Sequence, residues 1–216
     1  MDKITQVGPH RLKVGSVSEG LADLMGSDMA DVFYSDPPWG EGLVKMFETM
    51  NLKSTGAAKE GLSLDSFNKH FFEAIRRYAR NLVAIEYGFK FEKEVPMWAA
   101  AYGLNHAATL PCFYDGKKMR PMHLHVFYLH EPIEVPATLA AEIQATQGSA
   151  MVLAFLRHFG RPGQVVLDPC AGLGATTARA SCQAGMVFRG NELNAARAAR
   201  AVAQLRQGSG AQKSPA

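Results

Sequence analysis

Three cysteines in 216 residues, at 112, 170 and 182, are too few and too widely spaced for a disulfide scaffold, and they share no short metal-ligand spacing. A reducing compartment, the cytoplasm, is therefore expected, with no structural metal. No apolar run approaches the roughly 18 residues of a membrane span. MDKITQVGPHRLK carries no apolar stretch behind its first charged residues, so no signal peptide is expected either. Charge of one sign is also scarce: 23 Lys and Arg against 20 Asp and Glu leave +3, which permits a polyanionic partner without demanding one. What is plentiful is core material, since 47% of the residues are hydrophobic. That suits a single domain over 1–207, followed by a disordered tail at 208–216. A chain spent on one core keeps little for a separate target-reading domain.

The elements alternate. LADLM is a short helical stretch, and 31–35 is a buried strand stopped by Pro37 and Pro38. The stretch 43–62, with scattered Lys and Gly, reads as a mobile loop able to cover a site. Phe67, Phe71, Phe72, Ile75 and Tyr78 recur at helical spacing through 64–80. A strand at 82–86 and a helix at 95–102 follow, then a hairpin of 106–114 and 123–130 around DGKKMRPM. Beyond it lie a helix at 149–158, a strand at 165–167, a helix at 175–183, a strand at 186–190 and an Ala-rich helix at 194–205. The fold class expected is α/β: an open, doubly wound, mostly parallel sheet with an antiparallel hairpin edge, a Rossmann-like arrangement.

Two places carry chemistry. In the first, a strand runs into Asp168, Pro169, Cys170, Ala171, Gly172, Leu173, Gly174, Ala175, Thr176 and Thr177 and then a helix. Such a turn lets a nucleotide-like cofactor lie across the carboxyl end of the strand. It supplies only Gly172-x-Gly174, without the third glycine of a dinucleotide fingerprint, so pyrophosphate is a poor guess. Glu192, at the end of the next strand, suits ribose hydroxyls, and Asp168 suits a cationic amino group. The glycines alone would also serve a tight strand-to-helix turn, a reading that their coupling to Asp168 and Glu192 weakens.

The second place is Ser35-Asp36-Pro37-Pro38-Trp39-Gly40. Two prolines fix two φ angles and remove two backbone donors, leaving carbonyls as acceptors. The Asp36 carboxylate and the Pro37 carbonyl could together hold both hydrogens of an exocyclic amino group, whose nitrogen could then attack a methyl group in line. Trp39 offers a face on which an extruded base can stack, worth roughly 1–3 kcal/mol. A rigid turn capped by Asp36, with Trp39 as a core anchor, accounts for the same residues. If Asp36 and Asp168 cap neighbouring parallel strands, one crevice holds both.

The pairing of SDPPWG at 35–40 with LDPCAGLGATT at 167–177 resembles the S-adenosylmethionine-dependent DNA amino-methyltransferases, in the permuted class whose catalytic motif precedes the cofactor motif. The resemblance spans roughly residues 12–205. It implies that Asp36, Pro37 and Pro38 hold the target amino group and that Trp39 stacks on the flipped base. An aspartate at the first motif position resembles adenine N6 rather than cytosine N4 methylation. The cofactor motif falls on Asp168, Pro169, Cys170, Ala171, Gly172, Gly174, Ala175 and Thr176, with Asn191 and Glu192 as the ribose motif. VGSVSEGLADL at 14–24 resembles the motif before the catalytic strand and adds Gly15 and Ser16, the serine standing in place of a frequent aspartate. The implied cofactor is S-adenosyl-L-methionine and the implied partner double-stranded DNA. DNA cytosine and RNA adenine are alternative acceptors. A non-catalytic cofactor-binding module is the alternative of another class, to which the atypical Ser16, Gly148 and Ser149 point.

Lys117, Lys118 and Arg120 are the first candidates for phosphate contact, and Arg76, Arg77 and Arg80 the second, against a reading as solvated charge. His123 and His125 alternate onto one strand face, but no matching ligand set accompanies them. Glu86 ends a strand at the expected active edge without an assigned role. The scarcity of spare chain leaves target recognition to short segments or to a second subunit in a homodimer.

Overall fold

The computed structural model describes residues 3–56, 61–114, 119–172 and 176–210. Its centre is an eight-stranded sheet in the order β1-β2-β8-β7-β3-β4-β6-β5. The strands are β1 (Ile4–Val7), β2 (His10–Val14), β3 (Ala30–Ser35), β4 (Ala79–Gly88), β5 (Asn105–Tyr114), β6 (Arg120–Tyr128), β7 (Val165–Asp168) and β8 (Val187–Glu192). Strands β2, β8, β7, β3 and β4 run parallel, while β1 at one edge and β6 with β5 at the other are antiparallel. This is the α/β sheet expected, and the 106–114 hairpin lies at its edge.

The parallel strands are apolar on both faces because helices cover both. Phe33, Val83 and Ile85 pack with α3 (Leu64–Tyr78) and α4 (Glu94–Ala101). Val32, Tyr34, Ala84 and Val166 pack with α5 (Ala137–Ala145), α6 (Gly148–Phe159) and α7 (Thr176–Gln183). α3 follows its sequence signature: Ser63 caps it, accepting from the Ser66 N–H at 3.1 Å, and Phe67, Phe71, Phe72, Ile75 and Tyr78 are buried. A third cluster, including Leu12, Phe188, Ala198 and Leu205, joins β2 and β8 to α8 (Ala195–Gly210).

Three features depart from expectation. Residues 43–62 are not a mobile loop: α2 (Glu41–Thr55) occupies most of them and ends on Gly56 at φ +71°. The helix escapes notice because two of its buried positions are polar, Glu48 and Asn51. Glu48 Oε1 accepts from the Leu62 N–H at 3.0 Å and Glu41 Oε2 from the Leu64 N–H at 2.6 Å, which ties the helix to the approach to α3. Second, the first residues form a hairpin, and β2 extends the parallel sheet beside β8. Third, α8 runs through Gly210, three residues into the stretch read as a tail. The short helix α1 (Ala22–Met25) precedes β3, and Arg189, whose Nε and Nη2 both donate to Asp28 Oδ2 at 3.0 and 2.7 Å, fastens this approach to β8. Among the described residues no helix is long and apolar enough to cross a membrane, and no group of three or more His, Cys, Asp or Glu could hold a metal ion.

Candidate active site

The carboxyl ends of β8, β7, β3 and β4 meet in a cavity of about 340 Å³, a size within the range of small-molecule sites. Gly15, Ser16, Asp36, Pro38, Asp168, Pro169, Cys170, Ala171, Gly172, Thr176, Asn191 and Glu192 line it. Gly174, Ala175, Lys117 and Lys118 lie outside the described residues.

On one side the turn after β7 is held from beneath by β8. The Ala171 N–H donates to the Asn191 carbonyl at 2.9 Å, and Gly172, at φ +66°, donates its N–H to Glu192 Oε2 at 2.8 Å. Glu192 Oε1 accepts from the Asn194 N–H at 2.9 Å. The Asn191 amide donates to the carbonyls of Gly15 and Pro169 at 3.0 and 3.2 Å, and the Gly15 N–H donates to the Glu192 carbonyl at 3.0 Å. The segment after β2 is thus locked to the turn after β7. Ser16 lines the cavity while its hydroxyl oxygen accepts from the Ser18 N–H, capping the short 3-10 turn Val17–Glu19. Among the described residues Asn191 Oδ1 is buried without a partner.

On the other side, β3 delivers the Pro-Pro corner. Ser35 Oγ donates to Asp168 Oδ1 at 2.8 Å, so the two motifs touch directly, as neighbouring strands β3 and β7 require. Tyr87 ties the corner: its hydroxyl donates to the Pro38 carbonyl at 3.1 Å and accepts from the Gly40 N–H at 3.0 Å. Among the described residues no hydrogen bond reaches the Pro37 carbonyl. Trp39 Nε1 donates to Asp36 Oδ1 at 2.8 Å, and its ring packs edge-on to Tyr114 at 5.4 Å. Tyr114 lines the cavity; among the described lining residues Pro37 and Trp39 are absent.

The electrostatics are dominated by burial. Desolvation pushes the Asp36 carboxyl up to about 7, with the Trp39 hydrogen bond opposing and the Asp168 charge adding. Desolvation likewise pushes Asp168 up to about 6 and raises Glu192. Glu86, also lining the cavity, is held well above the ordinary carboxylate range by burial and by the charge of Asp36. Five carboxyl groups (Asp36, Glu48, Glu86, Asp168, Glu192) thus face one guanidinium, Arg197, among the described lining residues. Such a cavity favours a ligand carrying positive charge and repels pyrophosphate.

The sequence motifs did not indicate the wall made by α2 and the start of α8. Val44, Phe47, Glu48 and Met50 line the cavity, and Arg197 lies over the Phe47 ring at 4.7 Å. The Asn194 amide donates to Asn51 Oδ1 at 3.3 Å and to Ser54 Oγ. The i, i+3 spacing of Val44 and Phe47 was the available signal for an inward helix face. Arg120 opens β6 opposite Tyr114 and is exposed. Arg76 and Arg77 end α3, and Arg80 pairs with Asp31 at 3.2 Å. All three lie at the amino end of β4, away from the cavity. His123 and His125 do share a face, their rings 5.8 Å apart.

No family model matches the chain, and no curated protein does. Solved structures share its fold. TTHA0409, a putative DNA modification methylase from Thermus thermophilus, is 19% identical with a TM-score of 0.65, covering 92% of this chain and 95% of that one. The M1.HpyAVI-SAM complex is 13% identical with a TM-score of 0.62, covering 90% and 98%. The cytosine-N4-specific PvuII DNA methyltransferase is 12% identical with a TM-score of 0.57, covering 90% and 85%. At these identities the likeness is one of fold, and it extends over nearly the whole length of each partner.

Proposed function

We propose that the protein transfers the methyl group of S-adenosyl-L-methionine to the exocyclic amino group of a base in double-stranded DNA, with adenine N6 as the acceptor. The observation that carries this reading is the direct contact of the two motifs: the Pro-Pro corner with Asp36 and the turn from Asp168 to Glu192 open into one cavity, joined by the Ser35–Asp168 hydrogen bond. Two neighbours of the fold support it, since TTHA0409 has also been solved complexed with S-adenosyl-L-methionine and M1.HpyAVI as its SAM complex. The residues present suit that cofactor. Glu192, fixed by two N–H donors, keeps lone pairs for ribose hydroxyls, Asp168 can face an ammonium group, and the acid-rich lining favours a sulfonium.

Bound S-adenosyl-L-methionine supplies a methyl group on a positively charged sulfur. The protein's own part is positioning and charge. Asp36 and the Pro37 carbonyl, to which no described residue donates, accept the two amino hydrogens and keep the nitrogen lone pair pointed at the methyl carbon. After transfer the nitrogen carries the positive charge and releases a proton, which Asp36 or water takes. Trp39 orients Asp36 through its indole N–H, and Tyr114, which lines the cavity beside it, offers the aromatic surface to the extruded base. Recognition of the surrounding sequence falls to short segments such as the β5–β6 connection with Lys117, Lys118 and Arg120, or to a second copy of the chain.

The test is transfer of labelled methyl to unmodified duplex DNA, followed by nucleoside analysis. N6-methyladenine is the expected product. Label on cytosine N4 would correct the base, and label on RNA with none on any DNA would overturn the assignment.

A further inference from the structure

The strand order β8-β7-β3-β4 sets four carboxyl groups in a row along one edge of the sheet: Glu192, Asp168, Asp36 and Glu86. The proposed function employs the first three, for ribose, cofactor ammonium and target amino group, in that order. Glu86 is left over. Ser35 pairs with Ile85, so Asp36 and Glu86 are the next opposed positions of β3 and β4. Glu86 is 7% exposed and lines the same cavity. Its Oε1 accepts from the hydroxyl of Tyr34, a fully buried residue, at 2.8 Å. Among the described residues its Oε2 makes no hydrogen bond.

Position along the row decides what Glu86 meets. If the methyl donor lies over Asp168 and the amino group lies at Asp36, Glu86 stands on the far side of the amino group from the donor. Of the two ring atoms that flank the amino-bearing carbon, C5 has no lone pair, and the one that can meet Glu86 in a hydrogen bond is the other. In both adenine (N1) and cytosine (N3) that atom is a nitrogen with a free lone pair, whereas in guanine and thymine the nitrogen beside the exocyclic oxygen carries a hydrogen. A carboxylate there would repel the lone pair; a carboxylic acid would bond it. Adjacent buried carboxyl groups cannot all ionise, and the raised position of Glu86 agrees with its being the group that keeps its proton.

We propose that Glu86 is a base-reading residue: as a carboxylic acid, it donates a hydrogen bond from Oε2 to the ring nitrogen beside the amino group of the extruded base. The inference rests on the function proposed above. Asp36 as acceptor and Glu86 as donor then reproduce the edge that thymine presents to adenine, or guanine to cytosine, so that the flipped base exchanges one complementary partner for another. Adenine and cytosine, which present an amino group and a bare ring nitrogen side by side on the pairing edge, are admitted; guanine and thymine, which present a carbonyl and an N–H at those two places, are refused.

The experiment is single-turnover methyl transfer by wild type, E86Q and E86L on duplexes carrying the target base or its analogue without the ring nitrogen (1-deazaadenine, or 3-deazacytosine if cytosine is the base methylated). Cofactor binding by calorimetry serves as the check on folding. Wild type is expected to lose about 10-fold on the deaza substrate, the worth of one buried hydrogen bond. E86L should be about 10-fold slower on the normal base and indifferent to the deletion. E86Q, whose amide keeps a donor, should recover most of that loss and retain the deaza penalty. A wild-type enzyme without a deaza penalty overturns the inference, as does an E86L that keeps one, or an E86Q that matches E86L. If E86L fails to bind cofactor, wild type and E86Q on the two substrates decide the matter alone. Each of these failures leaves wild-type transfer to DNA intact, whereas failure of the proposed function removes the transfer itself.

Discussion

Replacing Trp39 by phenylalanine removes one atom pair of consequence, the indole N–H that donates to Asp36 Oδ1 at 2.8 Å, and keeps a ring beside Tyr114. That hydrogen bond favours the charged form of Asp36, which burial otherwise pushes up to about 7. A hydrogen bond to a charged group is worth about 1.5–3 kcal/mol. Taken at the lower figure, and at 1.36 kcal/mol per pH unit, it becomes roughly one pH unit. The sign follows: losing a donor to the carboxylate raises the carboxyl, from about 7 to roughly 8. Since methyl transfer needs Asp36 as an acceptor, the active fraction at about pH 7.5 drops from roughly three-quarters to roughly one-quarter, and the deficit closes above about pH 9. Single-turnover rates measured from about pH 6 to 9.5 at saturating cofactor would show the acid limb displaced upward in W39F. An unmoved limb, or a rate lowered equally at every pH, would refute the reasoning and leave Trp39 as packing.

Asp168 is pushed from 3.8 up to about 6 and is 2% exposed, so its native form takes up a proton before the unfolded chain does and its charge costs stability above about pH 6. D168N without ligand should therefore be the more stable to urea at about pH 8, by on the order of 2–3 kcal/mol, a margin that shrinks as pH falls from about 6 to 4, while binding cofactor more weakly; equal unfolding free energies at about pH 8 would contradict this. E192Q places an amide where two N–H donors, of Gly172 and Asn194, need an acceptor each, and calorimetry should show cofactor affinity down by about 10-fold or more. Gly40 has φ +85° and ψ 174°, and a Cβ there would lie 2.9 Å from Phe91 Cζ. G40A should cost about 1–3 kcal/mol in urea unfolding and loosen the Pro-Pro corner, and an unchanged midpoint would show that the strain is not there.

The parallel core was legible because its strands are short apolar runs, each followed by a turn and a helix, and the contact of Asp36 and Asp168 neighbourhoods followed once both were placed at strand ends. The limits have equally specific causes. α2 hides behind Glu48 and Asn51, buried positions filled by polar residues whose partners, Leu62 and Asn194, are invisible until the chain is folded. The strands β1 and β2, of four and five residues, are too short for alternation to declare itself. The residue type of Trp39 advertises its ring face, yet its N–H is what reaches Asp36, a matter of rotamer rather than residue type. Glu86 could be placed at a strand end, but only the register of β3 against β4 sets it opposite Asp36.

The pairing of β2 with β8 has a consequence for the order in which the molecule comes into being. Leu12 meets Gly190 and Val14 meets Glu192, so the two strands that secure Gly15, Asn191 and Glu192 are separated by most of the chain. Contacts between residues so distant in sequence are entropically late, because their loop must close before they return any energy. During synthesis β2 has no parallel neighbour until β8 has left the ribosome, and the Pro-Pro corner on β3 is made long before the carboxylate of Glu192. A nascent chain therefore has the residues of the corner long before those of the cofactor turn, and the pairing that completes the turn closes last, when the early strand meets the late one.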